Sequence, residues 1–465
     1  MEYISTRGEA PAAYFEEVLL RGLAPDGGLY VPRAWPHLSR GEIEALRGLS
    51  YADLAAALLA PFVGEAVAPG DLERILADGA AAMGHAAVTP LVQLDERTFL
   101  LELFHGPTLA FKDVALQLLG RLFAHVLERR GEALTILGAT SGDTGSAAIE
   151  AVRGRANMEI FILHPKDRVS RIQRLQMTTV AEPNVHNIAL EGTFDDCQAI
   201  VKALFADADL RDELALSSIN SINWARIMAQ IVYYFASALA LGAPERPVAF
   251  SVPTGNFGDV YAGYAAARMG LPVERLLVAT NVNDILERAL RTGEYEVRDV
   301  VATMSPSMDI QVASNFERLL FDAHDRNARS VQALMARLRE TGRFTIDEPA
   351  LATMRAHFSA ARVSEEATLG AMRRAWTGAG ELVDPHTAVA LAALDSQPFG
   401  REVARVVLAT AHPAKFPDPV EKATGVRPAL PARLAGLEER AESFAVLPND
   451  VSAVRDFLRR ARAPR

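Results

Sequence analysis

From residue 98 onward, short continuous apolar runs alternate with stretches of helical periodicity, and this alternation most restricts the fold. The runs cover residues 134–137, 160–163, 185–190, 248–252, 276–279 and 405–409. A strand that is apolar at successive positions, not at every second one, is buried on both faces. Separated by helices, such strands build βαβ units and a parallel sheet. Ligands of these sheets sit beyond the C-terminal ends of the strands. The loops after the runs are therefore where chemistry is expected.

The first 90 residues read as mostly helical, with apolar residues at helical spacing over 9–21, 41–46, 51–63 and 71–83. Pro25-Asp26-Gly27-Gly28 is a turn signal before the apolar Leu29-Tyr30-Val31, and Pro90 marks a boundary. Residues 310–380 again read as largely helical, with helix starts at 345–348 and 363–368. Residues 428–465 read as a loop and one or two helices. No internal repeat or low-complexity segment is present.

Composition narrows the function. The chain has 465 residues, 50% of them hydrophobic, which suits about three domains or subdomains with a large core. Cys197 is the single cysteine, which excludes a disulfide framework and a cysteine-based zinc cluster. The formal net charge is −10, unfavourable for nucleic acid unless basic residues cluster. The only such cluster is the tail from Arg455 to Arg465, which reads as a solvated end. Met1-Glu2-Tyr3 lacks the start of a signal peptide. The most apolar stretch, 231–243, is too short to span a bilayer and reads as a buried helix. A cytoplasmic protein without membrane or nucleic-acid partners is expected. No His/Glu cluster has metal-ligand spacing.

Two strand–loop–helix units could bind an anion. In the first, the run 134–137 leads into Gly138-Ala139-Thr140-Ser141-Gly142-Asp143-Thr144-Gly145. In the second, 248–252 leads into Pro253-Thr254-Gly255-Asn256-Phe257-Gly258-Asp259. Glycines let the backbone approach a ligand closely, and a helix start offers N–H donors with a partial positive charge. Neither loop is a Walker A or dinucleotide fingerprint. Each alone also reads as an ordinary capped turn, and Asp143 and Asp259 weigh against a bare anion site.

Only five of the 48 basic residues are lysines, so each lysine is informative. Lys112 sits in the apolar run Leu109, Ala110, Phe111, Val114, Ala115, Leu116. A buried ammonium is costly unless paired or neutral, and desolvation is how lysines become nucleophiles and Schiff-base formers. The alternative is a helix lysine paired with Asp113. Taken together, an amine in an apolar setting and two anion-compatible loops suit a cofactor with one aldehyde and one phosphate, which is the shape of pyridoxal phosphate.

Seven motifs, in order, resemble the threonine synthase family. They are the opening Tyr3-Ile4-Ser5-Thr6-Arg7-Gly8 with residues 22–30, HGPTLAFKD at 105–113, GATSGDTGSAA at 138–148, SINSINWARI at 218–227, PTGNFGD at 253–259, MDIQVASNFERLLF at 308–321, and TAHPAKF at 410–416. The length and N-terminal extension resemble the bacterial and fungal branch. The resemblance implies a fold-type II, tryptophan synthase β-like α/β architecture: two three-layer αβα lobes with parallel or mixed sheets and a mostly helical N-terminal domain. The implied spans are 1–90, 91–240 with Lys112, and 241–465 with the phosphate loop and Thr410, the chain crossing between lobes.

It also implies residue roles. Lys112 would be the catalytic lysine joined to pyridoxal phosphate. Gly255, Asn256, Phe257, Gly258 and Asp259 would cradle the cofactor phosphate, and Thr410 would bond the pyridine nitrogen. Thr140, Ser141, Gly142, Asp143 and Thr144 would hold the substrate's α-carboxylate, Asp143 standing where many relatives have asparagine. Asn220, Ser221, Asn223, Arg226, His105 and Lys415 would serve the phosphate of O-phospho-L-homoserine. Arg226 suits it because guanidinium binds phosphate bidentately, although a surface-helix arginine is the other reading. His412 could simply cap its loop. Asp309, Gln311, Ser314 and Asn315 form a polar cluster that either lines or supports the site. The implied products are L-threonine and phosphate, from a monomer or homodimer. The alternatives are a phospho-lyase releasing 2-oxobutyrate and a non-catalytic phospho-ligand sensor.

Overall fold

The computed structural model describes residues 1–462, so the last three positions of the basic tail lie outside the described residues. Two compact units are present. The first comprises Met1–Leu19, Leu23–Phe111 and Ser221–Ala429. The second comprises Leu20–Gly22, Lys112–Asn220 and the chain from Leu430 onward.

The first unit is built on a six-stranded sheet in the order Phe358–Arg362, Val273–Thr280, Val248–Pro253, Ala404–Ala409, Thr98–Glu102, Leu91–Gln93. All pairings are parallel except that of the edge strand Leu91–Gln93. Val248–Pro253 is buried at every position, as a strand covered on both faces must be. The expected helix starts hold: Asp347 caps Glu348–His357 and Ser364 caps Glu365–Ala379 through their side chains. Between those helices, Phe358–Arg362 is a strand where the sequence reads as helical. Its alanines carry no strand signal of their own, and pairing with Val273–Thr280 decides their conformation.

The N-terminal part of this unit holds a three-stranded antiparallel sheet, Ala13–Tyr14, Glu2–Ser5, Tyr30–Pro32. The helix expected over 9–21 begins only at Phe15, because residues 13 and 14 pair with Tyr3 and Glu2. Helices Arg40–Ala45, Tyr51–Val63 and Pro69–Ala81 lie where the spacing puts them. The opening motif is tied to residues more than 300 positions away. Thr6 Oγ1 donates to Glu317 Oε1 at 2.6 Å, and Arg7 Nη2 to Glu317 Oε2 at 3.0 Å. The apolar stretch 231–243 falls mostly in the buried helix Trp224–Ala240. Among the described residues no helix is long and apolar enough to cross a membrane.

The second unit is built on a five-stranded sheet, in the order Ala445–Pro448, Val185–Glu191, Met158–Pro165, Leu134–Ala139, Leu216–Ser217. Every pairing in it is parallel. Helices Lys112–Arg130 and Asp143–Val152 pack closely: a Cβ on Gly120 would meet the Ala151 carbonyl oxygen at 2.2 Å. A separate core gathers Leu137, Phe161, Leu190 and Ile200 with Val454 and Leu458 of the C-terminal helix Val451–Ala461.

Candidate active site

The segment leading to Lys112 is laced onto the end of the strand Ala404–Ala409. Leu103 N–H donates to the Ala409 carbonyl (3.0 Å), Phe111 N–H to the Thr410 carbonyl (2.9 Å), and His412 N–H to the Leu109 carbonyl (3.0 Å). Ala110 and Ala411 form an isolated antiparallel bridge. Leu109 makes the turn with a φ of 62°, a conformation that costs a non-glycine residue free energy and persists only where its surroundings enforce it. Lys415 helps enforce it. Its ammonium is 1% exposed and donates to the Thr108 carbonyl at 2.7 Å. Lys415, expected on the substrate phosphate, thus also ties down the lysine segment.

Lys112 is the first residue of the helix Lys112–Arg130. Its side chain is 12% exposed, and Nζ lies 3.4 Å from Asp143 Oδ2. The positive end of its own helix disfavours a cation there, whereas Asp143 favours one. An ion pair thus runs to Asp143, on the next helix start. Asp143 Oδ1 also accepts from Gln173 Nε2 at 2.8 Å. The carboxylate that seemed misplaced in an anion loop is therefore committed to an amine and an amide.

The loop 140–144 is wound around one hydroxyl. Thr140 Oγ1 accepts from Gly142 N–H (3.0 Å) and Gly145 N–H (2.9 Å), and Ser146 Oγ donates to the Gly142 and Asp143 carbonyls. Gly142 has a φ of 143°, and a Cβ there would strike the Gln173 side chain at 2.4 Å. Thr140 Oγ1 accepts within the loop and keeps its O–H to donate; a ligand also meets the first-turn N–H donors of Asp143 and Thr144 in the helix Asp143–Val152, beside exposed Ser141 and half-buried Thr144.

The loop 253–259 is held from several sides within the first unit. Phe257 turns the chain with a φ of 64° and is buried against Phe316 and Phe358. Gly255 is obligatory for space: a Cβ would meet the Ser307 carbonyl oxygen at 2.6 Å. Ser307 cannot easily retreat, because its N–H donates to His386 Nε2 at 3.1 Å. His386 is fixed in turn by Asp384 Oδ2 at 2.6 Å from Nδ1, so Nδ1 carries the proton. Asp259 accepts from Tyr233 (2.5 Å) and Tyr234 (2.9 Å) at Oδ1. Burial and that carboxylate raise both phenols well above their ordinary range. The Asp259 carboxylate, expected in the cofactor cradle, thus anchors the start of the helix Gly258–Arg268.

The remaining candidates separate. Asn223 is fully buried and caps the helix Trp224–Ala240: Oδ1 accepts from Ala225 N–H, and Nδ2 donates to the Leu19 carbonyl. Both ends of the amide are thus held by the main chain. Asn220 Nδ2 donates to Ser218 Oγ. The Ser221 carbonyl accepts from Asn315. His105 Nε2 lies 2.7 Å from Glu102 Oε2, and His412 Nδ1 accepts from Ala414 N–H. Asp309 accepts from Asn281, Asn283 and Thr303, so it supports a loop.

Arg226 stands apart. It is 3% exposed, and Nε and Nη1 have no hydrogen-bond partner. Burial lowers its pKa to about 10, which leaves it charged at neutral pH. A buried cation with unsatisfied donors suits an anion. It is not the surface-helix arginine of the other reading. Arg318, Gln173, His386 and the Tyr233–Tyr234 pair are missed in the sequence. Arg318 and Gln173 are ordinary in composition and become significant only through partners far along the chain.

These residues fit pyridoxal phosphate. Lys112, in the second unit, offers an amine. The space left by Gly255, with the helix start at Gly258, suits a phosphate, and Thr410 ends a central strand with 6% exposure. The family model for pyridoxal-phosphate dependent enzymes matches residues 82–410. The chain is a fold-type II pyridoxal-phosphate-dependent enzyme. Models for the N terminus and the C-terminal part of threonine synthase match residues 2–79 and 387–458. A threonine synthase of Pseudomonas aeruginosa is 54% identical over 459 residues, covering 98% of each chain. The crystal structure of pyridoxal-phosphate-bound threonine synthase from Brucella melitensis has a TM-score of 0.98 at 54% identity, covering 100% of both chains. That of threonine synthase from yeast has a TM-score of 0.95 at 38% identity, covering 99% of this chain and 98% of the other. The chain belongs to the threonine synthase family.

Proposed function

We infer that this chain converts O-phospho-L-homoserine and water to L-threonine and phosphate. The observation that carries the substrate choice is Arg226, a buried guanidinium whose Nε and Nη1 lack acceptors. Pyridoxal phosphate already has its own phosphate loop at 255–258, so a second phosphate-seeking group implies a second phosphate, on the substrate. Guanidinium answers it with charged N–H donors.

When bound, pyridoxal phosphate supplies a sink for the negative charge that develops on substrate carbons. The chain's own groups do the rest. Lys112 holds the cofactor and, as a free amine, takes and returns protons at Cα and Cβ. Positioned transfer of this kind contributes roughly 10²–10⁴-fold. Asp143, 3.4 Å from the amine, keeps it aimed and steadies it when protonated. The first-turn N–H groups after Gly142 hold the α-carboxylate, and Arg226 holds the phosphate that leaves from Cγ. Thr410 gives the pyridine nitrogen a neutral hydroxyl partner, which does not protonate it as a carboxylic acid would.

The test is product analysis with the purified, cofactor-loaded enzyme. L-Threonine and phosphate in equal amounts are expected. Release of 2-oxobutyrate in place of threonine would assign a phospho-lyase, and a colourless, inert protein would assign a sensor. Lys112→Ala should lose both the yellow chromophore and turnover with its fold kept. Turnover near the normal rate in that variant would overturn the assignment.

A further inference from the structure

The loop 253–259 and the segment leading into the helix that carries Arg226 are joined by one buried amide. Asn315, 0% exposed, donates its main-chain N–H to the Asn256 carbonyl at 3.1 Å and its Nδ2 to the same oxygen at 3.0 Å. Nδ2 also lies 3.1 Å from the Ser221 carbonyl. A single side-chain nitrogen therefore bridges residue 256 of one loop and residue 221 of the other.

The amide is not free to turn over. Its Oδ1 accepts from Arg318 Nη1, so Nδ2 must face the two carbonyls. Arg318 is itself 0% exposed and spends its other donors in fixed directions. Nη2 reaches the Ile222 carbonyl at 2.6 Å, and Nε reaches the Tyr30 carbonyl at 3.0 Å in the N-terminal sheet. Its guanidinium lies 5.8 Å from the Trp224 ring, at the start of the helix that carries Arg226. A planar guanidinium offers these donors in a rigid fork that lysine cannot reproduce.

We propose that Asn315, oriented by Arg318, is a positioning residue that couples the cofactor-phosphate loop to the substrate-phosphate loop, so that filling one sets the geometry of the other. The proposal rests on the reading of Arg226 as the substrate-phosphate ligand. Its chemical consequence is selectivity by spacing. The relay fixes how far a second phosphate stands from the cofactor, which favours a phosphorylated amino acid of one chain length over shorter homologues. Coupling of this kind is reciprocal: each ligand tightens the other by the same factor.

The experiment titrates cofactor-free, full-length protein with pyridoxal phosphate, followed by absorbance, with and without a non-hydrolysable phosphonate analogue of O-phospho-L-homoserine. In the unmodified protein the analogue should tighten cofactor binding, within the roughly 5–150-fold range of ordinary site–site coupling. In Asn315→Ala that factor should fall below about twofold. If both affinities drop while the factor stays at its original value, Asn315 is a structural support and the proposal is overturned. The unmodified protein gives a second reading, independent of how the variant folds. Loading with pyridoxal phosphate should slow hydrogen exchange at 221–226 as well as at 255–258, and no response at 221–226 also overturns it. Arg318→Lys should confine the slowing to 255–258. Failure of the Arg226 reading looks different: Arg226→Ala would then bind the analogue as tightly as the unmodified protein does.

Discussion

Replacing Gly255 by alanine tests the phosphate cradle most directly. The added methyl would sit 2.6 Å from the Ser307 carbonyl oxygen, 3.6 Å from its carbon and 3.7 Å from the Met308 Cα. All three are main-chain atoms, so no side chain can swing aside. Ordinary contact begins near 3.4 Å, which requires a retreat of about 0.8 Å, and overpacking on this scale costs about 1–3 kcal/mol. Ser307 resists that retreat through His386 and Asp384. Without cofactor the loop can relieve the clash by shifting. With cofactor its N–H groups must return to place, so the cost falls on binding. At about 1.4 kcal/mol per decade, pyridoxal phosphate should bind roughly 5–150-fold more weakly. The assay is an absorbance titration of cofactor-free protein, with a thermal melt to show the fold unchanged. Gly79→Ala, where the methyl meets nothing within 4 Å, is the control. A Gly255→Ala protein that binds cofactor within twofold of the unmodified one would refute the steric argument.

Three further outcomes are expected. Arg226→Ala should raise KM for O-phospho-L-homoserine by roughly 10–150-fold, the loss of about 1.5–3 kcal/mol in charged hydrogen bonds; equal weakening of cofactor binding would mean it serves the other phosphate. Glu317→Gln should destabilise the chain by about 1–3 kcal/mol in urea titration, because it leaves Thr6 and Arg7 without their carboxylate. His164, buried in the strand Met158–Pro165, has its pKa lowered, chiefly by burial, so the unfolded chain takes up its proton first as pH falls through about 6.5. Stability should therefore drop between pH 7 and 5. Substitution by asparagine should flatten that slope by up to about 1.4 kcal/mol per pH unit, and an unchanged slope would show that His164 does not titrate there.

The central strands were legible because their apolar runs are continuous, as burial on both faces demands. Phe358–Arg362 and Ala13–Tyr14 were not, since short edge strands owe their conformation to partners distant in the chain. In the site, Lys112 and the glycine loops announced themselves by residue type and local spacing. Asn223 and Lys415 have the right chemistry for phosphate, yet each turns a donor onto a main-chain carbonyl. Arg226 carries the same local signal as those two. What separates it is a buried guanidinium whose Nε and Nη1 lack an acceptor in the protein, a property of packing that no spacing rule reports.

The outer strand Ala445–Pro448 and the helix Val451–Ala461 belong to the second unit, although most of that unit lies between residues 112 and 220. During synthesis, then, the hydrogen-bonding edge of Val185–Glu191 stays uncovered until more than 200 further residues have left the ribosome. Maturation of this unit is necessarily a late event. A chain cut short before residue 445 would keep every residue assigned here to the chemistry and still carry a raw β-edge, open to pairing with its neighbours.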